Sequence, residues 1–160
     1  MSQQESSARM GSLLRTRGLS ISTAESLTGG MLGAVITGAA GASDYYVGGA
    51  ITYATESKAQ ILSVAESVLA TEGPVSPKTA EQMANGVRLL FGSSLAVSTT
   101  GVAGPTVQDG KPVGLVYIGV SDVRRTVSHE FNSAGATREE VRQQTVDRVL
   151  EILIEYLEKE

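Results

Sequence analysis

Two hydroxyls and two glycines stand where a short apolar run gives way to a helical pattern, in Ala24-Glu25-Ser26-Leu27-Thr28-Gly29-Gly30. A hydroxyl at such a junction lies near backbone N–H groups with no partner inside the helix, in a field that favours negative charge. That setting suits a nucleophile and an oxyanion alike, and the paired glycines let the backbone approach a bound group without a Cβ in the way. The same spacing describes a plain cap followed by a turn. The heptapeptide alone favours the cap, with Ser26 or Thr28 in that role. Lys58 follows Tyr53 just beyond a predicted strand. A lysine whose ammonium is destabilised by burial or a nearby cation can take a proton from serine, and a tyrosine can relay or donate one. Taken alone, Lys58 reads as a solvated charge on a helix. Arg138 and Arg142 share one face near the start of a helix, where the dipole opposes cations. Either an anion compensates them or Glu139 and Glu140 do, and the spacing leaves both open.

Other chemistry is excluded by residue type. The stretch from Gly104 to Lys111 imitates a phosphate loop, but Pro112 follows the lysine where Ser or Thr is required. His129 alternates with Val127 and Phe131 on a predicted strand, so it reads as a packed or surface histidine rather than the base of a triad. No G-x-S-x-G elbow surrounds Ser26, which argues against an ordinary α/β-hydrolase. With no cysteine and one histidine, thiol chemistry and disulfides are excluded and a zinc site is hard to build. A net charge of −4 gives no footprint for direct nucleic-acid binding. No apolar run approaches membrane-spanning length and no apolar segment follows the polar start, so a cytoplasmic protein is expected.

The elements that must position these residues can be read along the chain. Its 160 residues, without a long linker, fit a single domain over 1–160 with residues 1–7 flexible. A helix is expected over 8–17 with Gly18 as its stop, a strand over 19–23 and a helix over 30–37. A glycine-interrupted strand over 46–53 and short helices over 57–62 and 65–70 come next. Ser76-Pro77 then starts a helix whose buried stripe is Ala80, Met83, Ala84, Val87, Leu90 and Phe91. Strands follow over 95–100 and 113–120, and 124–131 alternates well enough to pair antiparallel with the second of these. Thr137 and Glu140 have capping-box spacing ahead of a long helix with a stripe of Val141, Val146, Val149, Leu150, Leu153 and Leu157. Early strands separated by helices and a late hairpin predict an α/β layered fold with a mixed sheet flanked by helices. Ser26, Tyr53 and Lys58 would then meet at the carboxyl edge of the sheet, where such folds bind ligands.

Four segments in order, the Ala24–Gly30 heptapeptide, Tyr53-Ala54-Thr55-Glu56-Ser57-Lys58, Thr100-Gly101-Val102-Ala103-Gly104-Pro105 and Lys111-Pro112-Val113-Gly114, resemble the C-terminal domain of the competence-damage protein CinA, the nicotinamide-nucleotide amidohydrolase family. The resemblance runs from about Leu13 to Leu153. It implies a stand-alone domain without the pyrophosphatase domain that precedes it in full-length CinA, and hydrolysis of the carboxamide of nicotinamide mononucleotide to nicotinate mononucleotide and ammonia. Ser26 matches the family's nucleophile, Lys58 its general base and Tyr53 its assisting hydroxyl. Thr28, Gly29 and Gly30 match the loop after the nucleophile, whose N–H groups would hold the oxyanion. Thr100, Gly101 and Gly104 match the turn bordering the substrate. Arg138 and Arg142 fall where the family carries arginines, and they are assigned here to the nucleotide phosphate. No metal or cofactor is implied; the expected partners are a small nucleotide substrate and further copies of the chain, with no direct nucleic acid and no membrane. Leu27, Thr55 and residues 106–110 depart from the family pattern of Cys, Asn and an early Gly-Gly, which bears on substrate preference. The alternative reading is a catalytically weak or inactive nucleotide-binding or competence and DNA-repair accessory protein.

Overall fold

The computed structural model describes residues 1–159, which form a five-stranded mixed sheet with helices on both faces. In chain order the elements are α1 (Gln3–Thr16), β1 (Ile21–Glu25), α2 (Met31–Thr37), a 3-10 turn (Ala42–Asp44), β2 (Tyr46–Ile51), α3 (Thr55–Leu62), α4 (Glu66–Thr71), α5 (Pro77–Phe91), β3 (Leu95–Gly101), β4 (Leu115–Ser121), β5 (Thr126–Asn132) and α6 (Arg138–Lys159). The strands lie in the order β2-β1-β3-β4-β5, parallel from β2 through β1 to β3 and antiparallel from β3 to β5. The α/β layered class and the antiparallel hairpin are as expected from the sequence.

Each face of the sheet has its own helical cover. On one side Met10 and Leu14 of α1, Leu32 and Ile36 of α2, and Val146, Val149, Leu150 and Leu153 of α6 pack with Ile21, Val97 and Ile118 from the strands. On the other, Met83 and Val87 of α5 pack with Leu62, Val64, Ala24 and Ala96. Small polar residues let α5 lie close to the sheet. Ser98 donates to the Ala80 carbonyl at 2.5 Å, Thr100 donates to the Pro74 carbonyl at 2.6 Å, and a Cβ at Gly119 would collide with the Ala80 carbonyl. Buried hydroxyls are tolerated there because each finds an acceptor.

Several boundaries move, for identifiable reasons. Helix α1 starts at Gln3 rather than at residue 8, because Ser2 and Glu5 form a reciprocal capping box. Gln3 to Ser7, placed by the sequence in a flexible start, are therefore helical, and Ser7 is completely buried with its hydroxyl on the Val35 carbonyl. Strand β1 runs two residues later than expected and β2 stops at Ile51, leaving Tyr53 beyond it. Helix α3 begins at Thr55 rather than at residue 57, with Lys58 inside it as expected. The starts of α5 and α6 are capped as the sequence indicates, Ser76 accepting from the Thr79 N–H and Thr137 from the Glu140 N–H. Glu140 completes its cap on the Ala136 N–H instead of the residue 137 N–H. Leu90, assigned to the buried stripe of α5, is 54% exposed.

Candidate active site

The three parallel strands end at one edge of the sheet, and the segments leaving them build a cleft of about 300 Å3. From β1 comes Ser26, from the end of β2 come Tyr53 and then Lys58 on α3, and from β3 come Thr100, Gly101 and Gly104. The chain leaves β1 for β2 on one side and returns to β3 on the other, so the loops after β1 and β3 diverge and leave room for a ligand. Arg138, at the start of α6, closes one side.

At the bottom of the cleft Lys58 Nζ lies 2.9 Å from Ser26 Oγ, 2.6 Å from the Thr52 carbonyl oxygen and 3.3 Å from that of Tyr53. Lys58 is only 1% exposed and Ser26 9%. Burial lowers the Lys58 pKa to about 8, with Glu56 opposing the shift. An ammonium would donate all three protons to these oxygens. A neutral amine can give its two N–H groups to the carbonyls and turn its lone pair on the Ser26 proton.

The cap expected from Ser26 or Thr28 is supplied by a residue the sequence reading left without a role. Gly30 is the N-cap of α2, with φ at +103° and no side chain to offer. The buried Glu25 carboxylate instead accepts from the N–H groups of Gly30, Leu32 and Gly33 at 3.2, 2.9 and 3.0 Å. Its signal in the sequence was a carboxylate shortly before a helix that lacks its own capping side chain, where an anion is favoured. Ser26 is thereby free of capping duty. Thr28, fully buried, pairs its hydroxyl with Thr99 at 2.8 Å, and neither it nor Gly29 nor Gly30 borders the cleft.

The backbone after Ser26 is a tight turn in which the Gly29 N–H donates to the Ser26 carbonyl at 3.1 Å. With Gly30 bonded to Glu25, Thr28 keeps the one free N–H of the Thr28–Gly30 trio expected to hold an oxyanion. The Leu27 N–H joins it; neither has an acceptor among the described residues.

The two arginines part company. Arg138 donates to the Tyr53 hydroxyl and to the Gly104 carbonyl, both at 2.6 Å, across the mouth of the cleft. Arg142 lies outside the cleft and donates to the carbonyls of Leu27 at 2.9 Å and Thr28 at 3.3 Å. Tyr53 is 57% exposed, and its hydroxyl is held by Arg138 rather than by Ser26 or Lys58. The Thr100 hydroxyl is taken up by the carbonyl of Pro74, another residue lining the cleft, at 2.6 Å. His129 sits on β5 paired opposite Ile118, away from Ser26, and burial with the nearby Arg148 lowers its pKa. Of the three departures from the family pattern, Leu27 and Thr55 line the cleft and Thr106, Val107 and Gln108 form its outer wall. No cluster of His, Cys, Asp and Glu suited to a metal occurs among the described residues.

Fold and site together define an α/β protein with a buried serine–lysine pair at the carboxyl edge of three parallel strands. The sequence pattern of the family described as CinA C-terminal domain matches residues 3–157, and the chain belongs to that family. It is 44% identical over 144 residues to the CinA-like protein of Endomicrobium trichonymphae, covering 89% of this chain and 33% of that one. A competence-damage inducible protein of Desulforamulus reducens is 43% identical over 149 residues, 93% of this chain and 36% of that one. The chain thus spans about a third of the length of these curated relatives. Among solved structures, a CinA superfamily protein from Klebsiella pneumoniae superposes with a TM-score of 0.96 at 30% identity over 100% of both chains. The competence/damage inducible protein CihA from Agrobacterium tumefaciens does so with 0.92 at 36% identity over 99% of both. No helix among the described residues is long and apolar enough to cross a membrane.

Proposed function

We propose that this domain is an amidohydrolase that cleaves the carboxamide of nicotinamide mononucleotide, with Ser26 as nucleophile and Lys58 as base. The observation that carries the reading is the buried Lys58 Nζ at 2.9 Å from Ser26 Oγ, with two carbonyls positioned to take its remaining protons. Neutral Lys58 removes the Ser26 proton as Oγ attacks the carboxamide carbon, and the unpaired N–H of Leu27, which lines the cleft, receives the oxyanion. The Lys58 ammonium returns the proton to the departing nitrogen, ammonia leaves, and water resolves the acyl-enzyme by the same route.

The substrate class rests on membership of the family and on the cleft's charge. Arg138 offers a guanidinium at the rim, suited to a phosphate, while Lys58 lies deep beside the nucleophile. In this reading the phosphate replaces the Tyr53 hydroxyl on Arg138 and leaves Tyr53 free to turn toward the reacting amide.

The test is ammonia release from nicotinamide mononucleotide by the intact protein, beside Ser26→Ala and with free nicotinamide as a second substrate. Release confined to the nucleotide and lost in Ser26→Ala is the expected result. A Ser26→Ala protein that turns over at the wild-type rate would discard the assignment. Nucleotide binding without ammonia from the wild type would favour the accessory, non-hydrolysing reading.

A further inference from the structure

Thr55, Pro74 and Val75 line the cleft and also a second groove of about 600 Å3 that runs past α4 toward Asp109 and Lys111. Pro74 and Val75 therefore form a partition between the two spaces, carried on the short segment that joins α4 to α5. The backbone of that segment has few holds. Proline has no N–H, so the carbonyl is the only hydrogen-bonding group of Pro74, and its partner among the described residues is the Thr100 hydroxyl at 2.6 Å. The residue before it is pinned separately, the Gly73 carbonyl accepting from the Thr79 hydroxyl at 2.8 Å. The Val75 side chain packs with Ala80 of α5 and with Leu115 and Tyr117 of β4. Thr100 is 1% exposed and follows Ser98 by two residues on β3, so both hydroxyls leave the same face of the strand. Ser98 holds α5 through the Ala80 carbonyl, and Thr100 holds the segment ahead of α5.

Resting on the reading of Ser26 as an acylated nucleophile, we infer that Thr100 is a positioning residue that sets the size of the cleft. By holding the Pro74 carbonyl it fixes the partition, and Ser26 is then open only to acyl groups that fit the cleft without the groove behind it. Thr100 acts on the substrate through Pro74, its own hydroxyl being already taken. Valine at this position would keep the shape of threonine but set a methyl group against a buried carbonyl. Deprived of its donor, that carbonyl turns toward water, and Pro74 and Val75 turn with the peptide plane they share.

The experiment follows Ser26 with two sulfonyl fluorides that differ in size, phenylmethanesulfonyl fluoride with one ring and its biphenyl analogue with two. The Ser26 Oγ–S bond forms, the S–F bond breaks, the serine proton passes to Lys58 and fluoride leaves. Labelling is timed by intact mass and located by peptide mass in wild type, Ser26→Ala, Thr100→Val and Thr100→Ser. Wild type is expected to take the one-ring probe at least about tenfold faster than the two-ring probe, and Thr100→Val to bring the two rates within about threefold. Thr100→Ser, which keeps the hydroxyl, is expected to retain the wild-type ratio. A wild-type ratio in Thr100→Val overturns the inference, even where both rates fall together, because that leaves Thr100 as a structural brace. Equal rates for the two probes in wild type overturn it as well, since the partition then limits nothing. So does a Thr100→Ser protein that behaves like Thr100→Val, which would assign the effect to the methyl group. If Thr100→Val does not fold, Thr100→Ala is read by the same criteria. The two readings fail separately: a wild type that takes up neither probe at Ser26 removes the nucleophile itself, whereas an unchanged ratio removes only the role of Thr100.

Discussion

Lys58 is fully charged in an unfolded chain at neutral pH, whereas in the folded one a pKa of about 8 leaves a fraction of it neutral, because helix α3 and the loop before it remove its Nζ from water. Only the deprotonated amine can accept the Ser26 proton, so kcat/KM for amide hydrolysis should rise about tenfold per pH unit below about 8 and level off above it. Ammonia release measured from pH 6 to 9.5 checks this, and a profile flat through that range would remove Lys58 as the base. Stability changes with pH in the same direction. The folded pKa lies below the lysine value of 10.5, so between about 8 and 10.5 the unfolded chain binds more protons than the native one and stability rises with pH. Wild type should therefore gain on Lys58→Met by up to about 1.4 kcal/mol per pH unit across that window, read by denaturant unfolding at pH 8, 9 and 10.

Helix α2 is short and starts on a glycine in a left-handed conformation, so its first turn depends on a partner from outside. Glu25 is that partner, and it is also the residue next to Ser26. The end of β1, the cap of α2 and the position of Ser26 are consequently one unit. Glu25→Ala leaves three buried or half-buried N–H groups without an acceptor and should cost about 3 kcal/mol of stability. Glu25→Gln keeps one acceptor oxygen and should cost less. Denaturant unfolding ranks the two; equal and negligible costs would show that water can replace the carboxylate. Both variants should also lose turnover in the same order, because Ser26 moves with its neighbour.

At the scale of the whole chain, the first and last helices pack together on one face of the sheet, so the fold closes only when both ends are in place. Unfolding is accordingly expected as a single cooperative transition, with the helical signal and ammonia release lost at the same denaturant concentration. The exposed ion pair between Arg9 of α1 and Glu158 of α6 contributes little to this closure. Arg9→Ala should shift stability by less than about 1 kcal/mol, whereas Leu153→Ala, deleting a fully buried side chain of α6, should cost about 2–5 kcal/mol. Thermal or denaturant melts of the two variants separate surface charge from apolar burial as the source of the closure.

The sequence by itself determined what local chemistry can decide. The alternation of strands and helices made the α/β class legible, the Ser76-Pro77 start and the α6 stripe followed from capping and periodicity, and the segments around Ser26, Tyr53 and Lys58 carried the family resemblance. Periodicity reports which residues seek burial, and turn and cap residues act within a few positions of themselves. Only the tertiary structure decided how partners distant along the chain were matched. It placed Lys58 against Ser26, turned the Thr100 hydroxyl onto Pro74, and sent two arginines from one helix face to different duties. The role of Glu25 was only half legible, because its carboxylate stands close before the helix it caps but Ser26 and Thr28 offered the same service from nearer positions. A carboxylate chooses its partners by direction as well as proximity, and the direction is set by β1 being fixed between β2 and β3. The acceptors of Lys58 are backbone carbonyls, which every residue type carries, so no side-chain pattern could have announced them.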